Sequence, residues 1–139
     1  MKKIIIFLTL ALVLMYSTIA LASCNLDTNR WKWIDSNDKI GMFYDTKSLK
    51  FYNDNLVQTW LCYYYPNGCQ NHRGEHYEYF LTRIDYNNNR FGIKAVLTRD
   101  SKGGAIGSSV YPDFYYEFIT PNSVGEVVAE KLREVRKNR

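Results

Sequence analysis

The run from His76 to Thr98 limits what this chain can fold into more than any other. His76–Asp85 and Phe91–Thr98 are rich in aromatic and β-branched residues, and the asparagine cluster of Tyr86–Arg90 separates them. Asparagine tolerates the left-handed backbone that a tight reversal needs. Tyr77, Tyr79 and Leu81 recur at period two in the first run, and Phe91, Ile93, Ala95 and Leu97 do so in the second. That period predicts an antiparallel hairpin with one buried face, in the middle of a sheet whose other strands add to its edges.

Those other strands are legible on both sides. Trp31–Asp35, Lys39–Asp45 and Leu56–Tyr63 read as strands divided by turn residues, while Ser48–Tyr52 reads as a crossing loop or short turn. Beyond the hairpin, Asp100–Gly104 is a glycine turn into a sixth strand, Ala105–Val110, and Tyr111–Thr120 is extended and aromatic. After Pro121 the period changes. Val124, Val127, Val128, Leu132 and Val135 recur at helical spacing behind Ser123-Val124-Gly125-Glu126, a capping box whose glutamate reaches back to the serine amide. A helix this short is marginal alone. Burying those side chains offers on the order of 7–15 kcal/mol gross, so it must dock. The expected fold class is α+β: a one-sided antiparallel sheet of about six strands in meander order, packed on one C-terminal helix.

The first residues belong to a different layer of organisation. Lys2 and Lys3 precede an apolar run, Ile4 to Met15, and Leu21-Ala22-Ser23 ends it in small residues, the layout of a secretory signal. Leu21-Ala22-Ser23-Cys24 looks like a bacterial lipobox, in which Cys24 is diacylated and becomes the new N-terminus. Ordinary cleavage nearby would instead leave Cys24 a free thiol or a disulfide partner, and an uncleaved Ile4–Ala22 would be long enough to span a bilayer. The expected division is a signal over 1–23, a polar tether over 24–30 and one domain over 31–139. The protein is then exported and membrane-anchored, at an outer membrane or cell surface.

Three cysteines in an exported protein leave one over. With Cys24 taken by lipid, Cys62 and Cys69 are expected to pair across the Pro66-Asn67-Gly68 turn, stabilising the fold by ~2.5 kcal/mol in the chain-entropy model. Cys62, Cys69, His72 and His76 also have the spacing of a zinc site with a long first gap, but an oxidising compartment favours the disulfide, so no metal is expected.

The chain carries 18 basic and 14 acidic residues. Lys2 and Lys3 leave with the signal, and five of the remaining bases (Lys131, Arg133, Arg136, Lys137, Arg139) lie at the end, beside Glu134. The body between is slightly acidic, so no nucleic-acid partner is expected. No serine lies in a nucleophile elbow, Gly103-Gly104 lacks the rest of a phosphate loop, and His-Glu-x-x-His is absent from the sequence. His72 and His76 read as solvated histidines, and Glu75, Glu78 and Asp85 as scattered surface carboxylates. The reading is therefore non-catalytic and without a cofactor. Tyrosines add contact area at low entropic cost, which makes Tyr63, Tyr64, Tyr115 and Tyr116, with the basic Arg133, Arg136 and Lys137, the candidate binding surface.

Trp31-x-Trp33-Ile34, Tyr44-Asp45 with Ser48-Leu49, Val57-x-x-Trp60, Tyr79-x-Leu81-x-x-Ile84-Asp85 and Ile119-x-Pro121-Asn122-Ser123-x-Gly125-Glu126, in that order, resemble the surface-adhesin protein E family. The resemblance runs from about Trp31 to the C-terminus. It implies a small bacterial surface lipoprotein with an antiparallel sheet packed on a C-terminal helix, and adhesion to a host matrix protein or glycan. The alternative is a periplasm-facing lipoprotein with a structural or assembly role. Members often bond a late cysteine to an earlier one; this chain ends in Arg-Lys-Asn-Arg without one, so no ligand residues are carried over.

Overall fold

A computed structural model describes residues 24–139. The signal segment expected over 1–23 lies outside the described residues. Seven strands and one helix follow in order: β1 (Trp31–Ser36), β2 (Gly41–Asp45), β3 (Lys50–Asn53), β4 (Leu56–Tyr65), β5 (His76–Asp85), β6 (Arg90–Asp100), β7 (Ala105–Phe118) and α1 (Val124–Lys137). All strands pair antiparallel in one sheet, β1-β2-β4-β5-β6-β7, with β3 added to β4. This is the α+β architecture that the periodicities predict, with the β5–β6 hairpin inside the sheet.

The hairpin closes as its asparagines require. Asn89 takes φ +48°, and Asp85 accepts from both the amide and the side chain of Asn88. The ambiguous Lys50–Asn53 is a short strand: β2 pairs with Leu61–Tyr64 and β3 with Leu56–Gln58, so the two share one edge of β4 end to end. The last two extended segments are one 14-residue edge strand, β7. It is interrupted between Val110 and Tyr115, opposite Ala95 and Ile93, where Pro112 has no amide to give to a ladder.

Alternation along β4 divides the side chains between two faces. Val57, Leu61 and Tyr63 join Ile34, Met42, Tyr44, Leu49, Ile84 and Phe80 in a core that receives Val128, Ala129 and Leu132 of α1. Cys62 and Tyr64 point the other way, into a second cluster with Phe43, Tyr77 and Tyr79. The sheet is therefore not one-sided. Cys24, Leu26 and Trp31 cover this second cluster, so the polar stretch expected to be a free tether is packed on the sheet. Its end is fixed by Arg30, which grips the fully buried Asp45 through Nε (2.9 Å) and Nη2 (2.8 Å).

The face assignment of the hairpin needs correction on the same grounds. Tyr77 and Tyr79 belong to the second cluster, while Phe80 and Ile84 face the helix. A bulge leaves Lys94 unpaired between Ile93↔Thr82 and Ala95↔Leu81, which reverses the phase of β6. Phe91 and Ile93 thus lie on the helix face, and Ala95 and Leu97 on the other.

Helix α1 begins at Ser123, whose hydroxyl accepts from the Glu126 amide at 3.2 Å. Glu126 reaches back one residue further than the expected box, accepting from the Asn122 amide at 2.7 Å, where Asn122 is left-handed at φ +59°. Val124 is exposed, and the small Ala129, overlooked by the hydrophobic pattern, takes a buried place instead.

The expected Cys62–Cys69 disulfide is absent: none of Cys24, Cys62 and Cys69 is bonded to another. Cys62 faces the second cluster, whereas Cys69 lies beside His76, which stacks on Tyr65 of the helix face. The sheet stands between them. Burial first, and then the nearby Cys24, push the Cys62 thiol far up.

Leu132→Ala is expected to cost about 2–5 kcal/mol in urea unfolding, whereas Val124→Ala stays within about 0.5 kcal/mol. Asp45 generates a second expectation. Burial alone would raise its carboxyl, but hydrogen bonds from Arg30, the Lys47 amide and Ser48 outweigh that and hold it below its ordinary value. A depressed folded-state pKa adds stability that is whole above the unfolded pKa and lost as pH falls through the folded one. Unfolding free energy should therefore decline below about pH 4, and Asp45→Asn should make that acid limb shallower.

Candidate functional site

The face of the sheet opposite α1 has two halves. One is the cluster under Cys24, Leu26 and Trp31; both hydrophobic clusters stop short of the other. Register places Gln58 opposite Lys50 and Arg83, Trp60 opposite Leu81, and Gly92 opposite Arg83 and Tyr116, all directed to this side. The half-face is paved with alternating cations and rings.

Arg83 is its centre. Its guanidinium carbon lies 4.1 Å from the Phe114 ring centre and 5.5 Å from that of Tyr52. Its Nε and Nη2 both donate to Gln58 Oε1, at 3.2 and 2.8 Å. Those bonds hold the fork in plane without spending its charge, and Nη1 takes no part in them. Lys94, freed from the ladder by the β6 bulge, reaches the same Phe114 ring at 5.8 Å. The β7 interruption matters equally, because it carries Phe114 out of register with β6 and over the arginine.

A second ring–cation pair adjoins the first. Tyr116 lies flat over Gly92, where a Cβ would come within 2.7–3.1 Å of its ring. Only glycine leaves that space. The Arg90 guanidinium lies 4.7 Å from the Tyr116 centre, and Arg90 Nη2 donates to Asp85 at 2.9 Å. Hydrogen bonds from Asn88 and then Arg90 hold the Asp85 carboxyl below its ordinary range. Arg90 Nε is buried without a hydrogen-bond acceptor among the described residues. Asp85 is thus occupied by its own turn, and Lys50, Arg83 and Lys94 have no ion-pair partner among the described residues.

The expected binding residues do not come together. Tyr64 is buried in the second cluster and donates to Glu75 at 2.8 Å, and Tyr63 packs against Phe80 on the helix face. Tyr115 and Tyr116 alternate across β7, so only Tyr116 joins the paved face; Tyr115 is exposed opposite Ile93. Arg133 stacks on Tyr86 at 4.5 Å, and Arg136 donates to Asn53 O and Asp54. These two pin the helix to the sheet's turns, and Lys137 is exposed beside them. Cys24 is half-buried at the edge of the second cluster, where the Asn25 amide donates to the Tyr77 hydroxyl at 3.0 Å. Arg83, Arg90, Lys94 and Gly92 were the residues sequence reasoning missed. The glycine within an apolar strand, opposite a tyrosine-rich one, was the available signal.

Three surface clefts of about 200–310 Å³ lie elsewhere: between Leu97–Arg99 and Ala105–Ser108, beside Tyr86 and α1, and beside Tyr77 and the Ser101 turn. Such volumes fall at or below the lower end of small-molecule pockets. Among the described residues no helix is long and apolar enough to cross a membrane. No protein-family model, curated protein or solved structure matches the chain.

Gly92→Ala should displace the Tyr116 ring and release Arg90 from beneath it. Near-ultraviolet circular dichroism would record the loss of the tyrosine's fixed environment, and unfolding should show a destabilisation of about 1–3 kcal/mol.

Proposed function

We propose that this chain is an exported, lipid-anchored binding module without catalytic activity, and that the paved half-face is its contact surface. The observation that carries this is Arg83, held over the Phe114 ring and near that of Tyr52, with Nη1 outside its bonds to Gln58. Side chains held this way lose little freedom on binding. Planar guanidinium groups take carboxylate or sulfate bidentately, and flat rings offer apolar bodies to a sugar face. Among protein and glycan ligands the chemistry favours an acidic glycan. This accords with the resemblance to surface-adhesin protein E, and Cys24 would carry the lipid.

A heparin-derived octasaccharide, titrated calorimetrically into the purified domain, is the direct probe. Arg83→Ala should weaken binding at least tenfold, which corresponds to about 1.4 kcal/mol. Arg136→Ala, on the helix side, should leave it within about twofold. Equal losses in both variants, or no binding by the unmodified domain, would refute the assignment. Cys24→Ser should move the protein from the membrane fraction to the soluble one.

One observation favours a second reading, the structural or assembly role. Strand β7 is the last strand of the sheet, and Ile106, Val110, Tyr115 and Phe118 stand exposed along it. An unpaired edge with apolar side chains accepts another strand. Protease treatment of intact cells separates the two: a surface module is shaved, and a periplasm-facing one is protected.

A further inference from the structure

The loop between β4 and β5 folds back on its own strands. Gly68 bridges to Arg73, the Cys69 amide donates to His72 O at 2.8 Å, and Gly68 sits at φ +79°. A Cβ there would lie 2.6 Å from Gly74 N and His72 O, so the return is as tight as glycine permits. The reversal sets Cys69 Sγ at 3.7 Å from His76 Nε2. Glu78, two residues along β5 and on the same face, brings its Oε1 to 3.9 Å from that nitrogen.

His76 is not the solvated histidine the sequence suggests; it is 1% exposed. Its Nδ1 lies 2.9 Å from Gly74 O. A carbonyl only accepts, so Nδ1 carries a proton, and in the neutral ring the lone pair is on Nε2, the nitrogen beside Cys69 Sγ. Tyr65 stacks on the ring at 4.7 Å and 12°, fixing its plane. An imidazole oriented through its far nitrogen is how proteins prepare a histidine to ligate a metal.

We propose that Cys69, His76 and Glu78 form a zinc site, with His72 as the fourth ligand. The donor atoms of Cys69, His76 and Glu78 lie within 4.8 Å of one another. Tetrahedral bonds of about 2.0–2.3 Å put neighbouring donors roughly 3.3–3.7 Å apart, so a small contraction closes the set. Two imidazoles on one such ion have ring centres roughly 5 Å apart; those of His72 and His76 are separated by 5.4 Å. Sulfur with nitrogen and one carboxylate suits zinc and excludes calcium and magnesium, which take oxygen. The objection to zinc was a competing disulfide, and the position of Cys62 across the sheet removes it. The site lies apart from the paved face, so either assignment can fail without the other.

The test uses the whole mature domain, purified reduced and titrated with zinc and with cobalt(II). One equivalent should bind, and the cobalt form should show a thiolate charge-transfer band and tetrahedral visible bands. Cys69→Ser should abolish the charge-transfer band and weaken zinc at least tenfold; Glu78→Gln, which spares the buried histidine, should also weaken it. His72→Ala should lower affinity and leave the charge-transfer band in place. No stoichiometric binding, a cobalt complex without the thiolate band, or a Cys62–Cys69 disulfide in the native protein would overturn the site. Unchanged affinity in His72→Ala would overturn the fourth ligand.

Discussion

Strand β4 is the constraint on which the molecule depends. It is paired along its full length with β5 on one side, and its other edge is shared by β2 and β3. With both edges committed its register cannot slip, and a one-residue slip would exchange the two faces. Val57, Leu61 and Tyr63 are therefore obliged to face α1, and Gln58, Trp60, Cys62 and Tyr64 to face away. The separation of Cys62 from Cys69 and the location of the second cluster follow from that one alternation.

The outward face is then divided by what covers it. At the β2 end, the segment from Cys24 to Trp31 seals the tyrosines and Cys62, held by Arg30 on the buried Asp45. Over the other half, which runs from β3 to β7, no such cover occurs among the described residues, and arginine and lysine stems lie along rings instead. Long basic side chains cover apolar surface while keeping the charged head in water. A structural requirement, shielding the rings, and a recognition requirement, presenting fixed cations, are met by the same contacts. The basic helix end works differently: Arg133, Arg136 and Arg139 lie against Tyr86 and Phe51 and act as clamps on the helix.

Both candidate sites arise where a strand departs from regular pairing. The β6 bulge releases Lys94 and the β7 interruption swings Phe114 over Arg83, while the tight β4–β5 return lays Cys69 against His76. Regular ladder positions supply the rigid partners, Gln58 and Gly92 in one case and His76 and Glu78 in the other. This division suits sites that need a side chain aimed and a backbone that does not move.

Much of the architecture was local information. Alternating apolar residues, asparagine and glycine reversals, and the change to helical spacing after Pro121 each act within a few residues, so six of the seven strands and the docked helix could be read, while Lys50–Asn53 read as a loop and β7 as two segments. Faces and partners were not local. Tyr77 and Ala95 both read as one-face core, yet which face a strand residue meets depends on bulges in its neighbour and on what is folded over it. Cys62 and Cys69 are seven residues apart in sequence, and seven residues is an odd count in a pleated strand and its turn. The chain by itself determined that there would be a sheet, a helix and a reversal near each asparagine or glycine cluster; the tertiary structure alone decided which thiol, imidazole or arginine would meet which partner, because those meetings are set by register between strands and not by order along one.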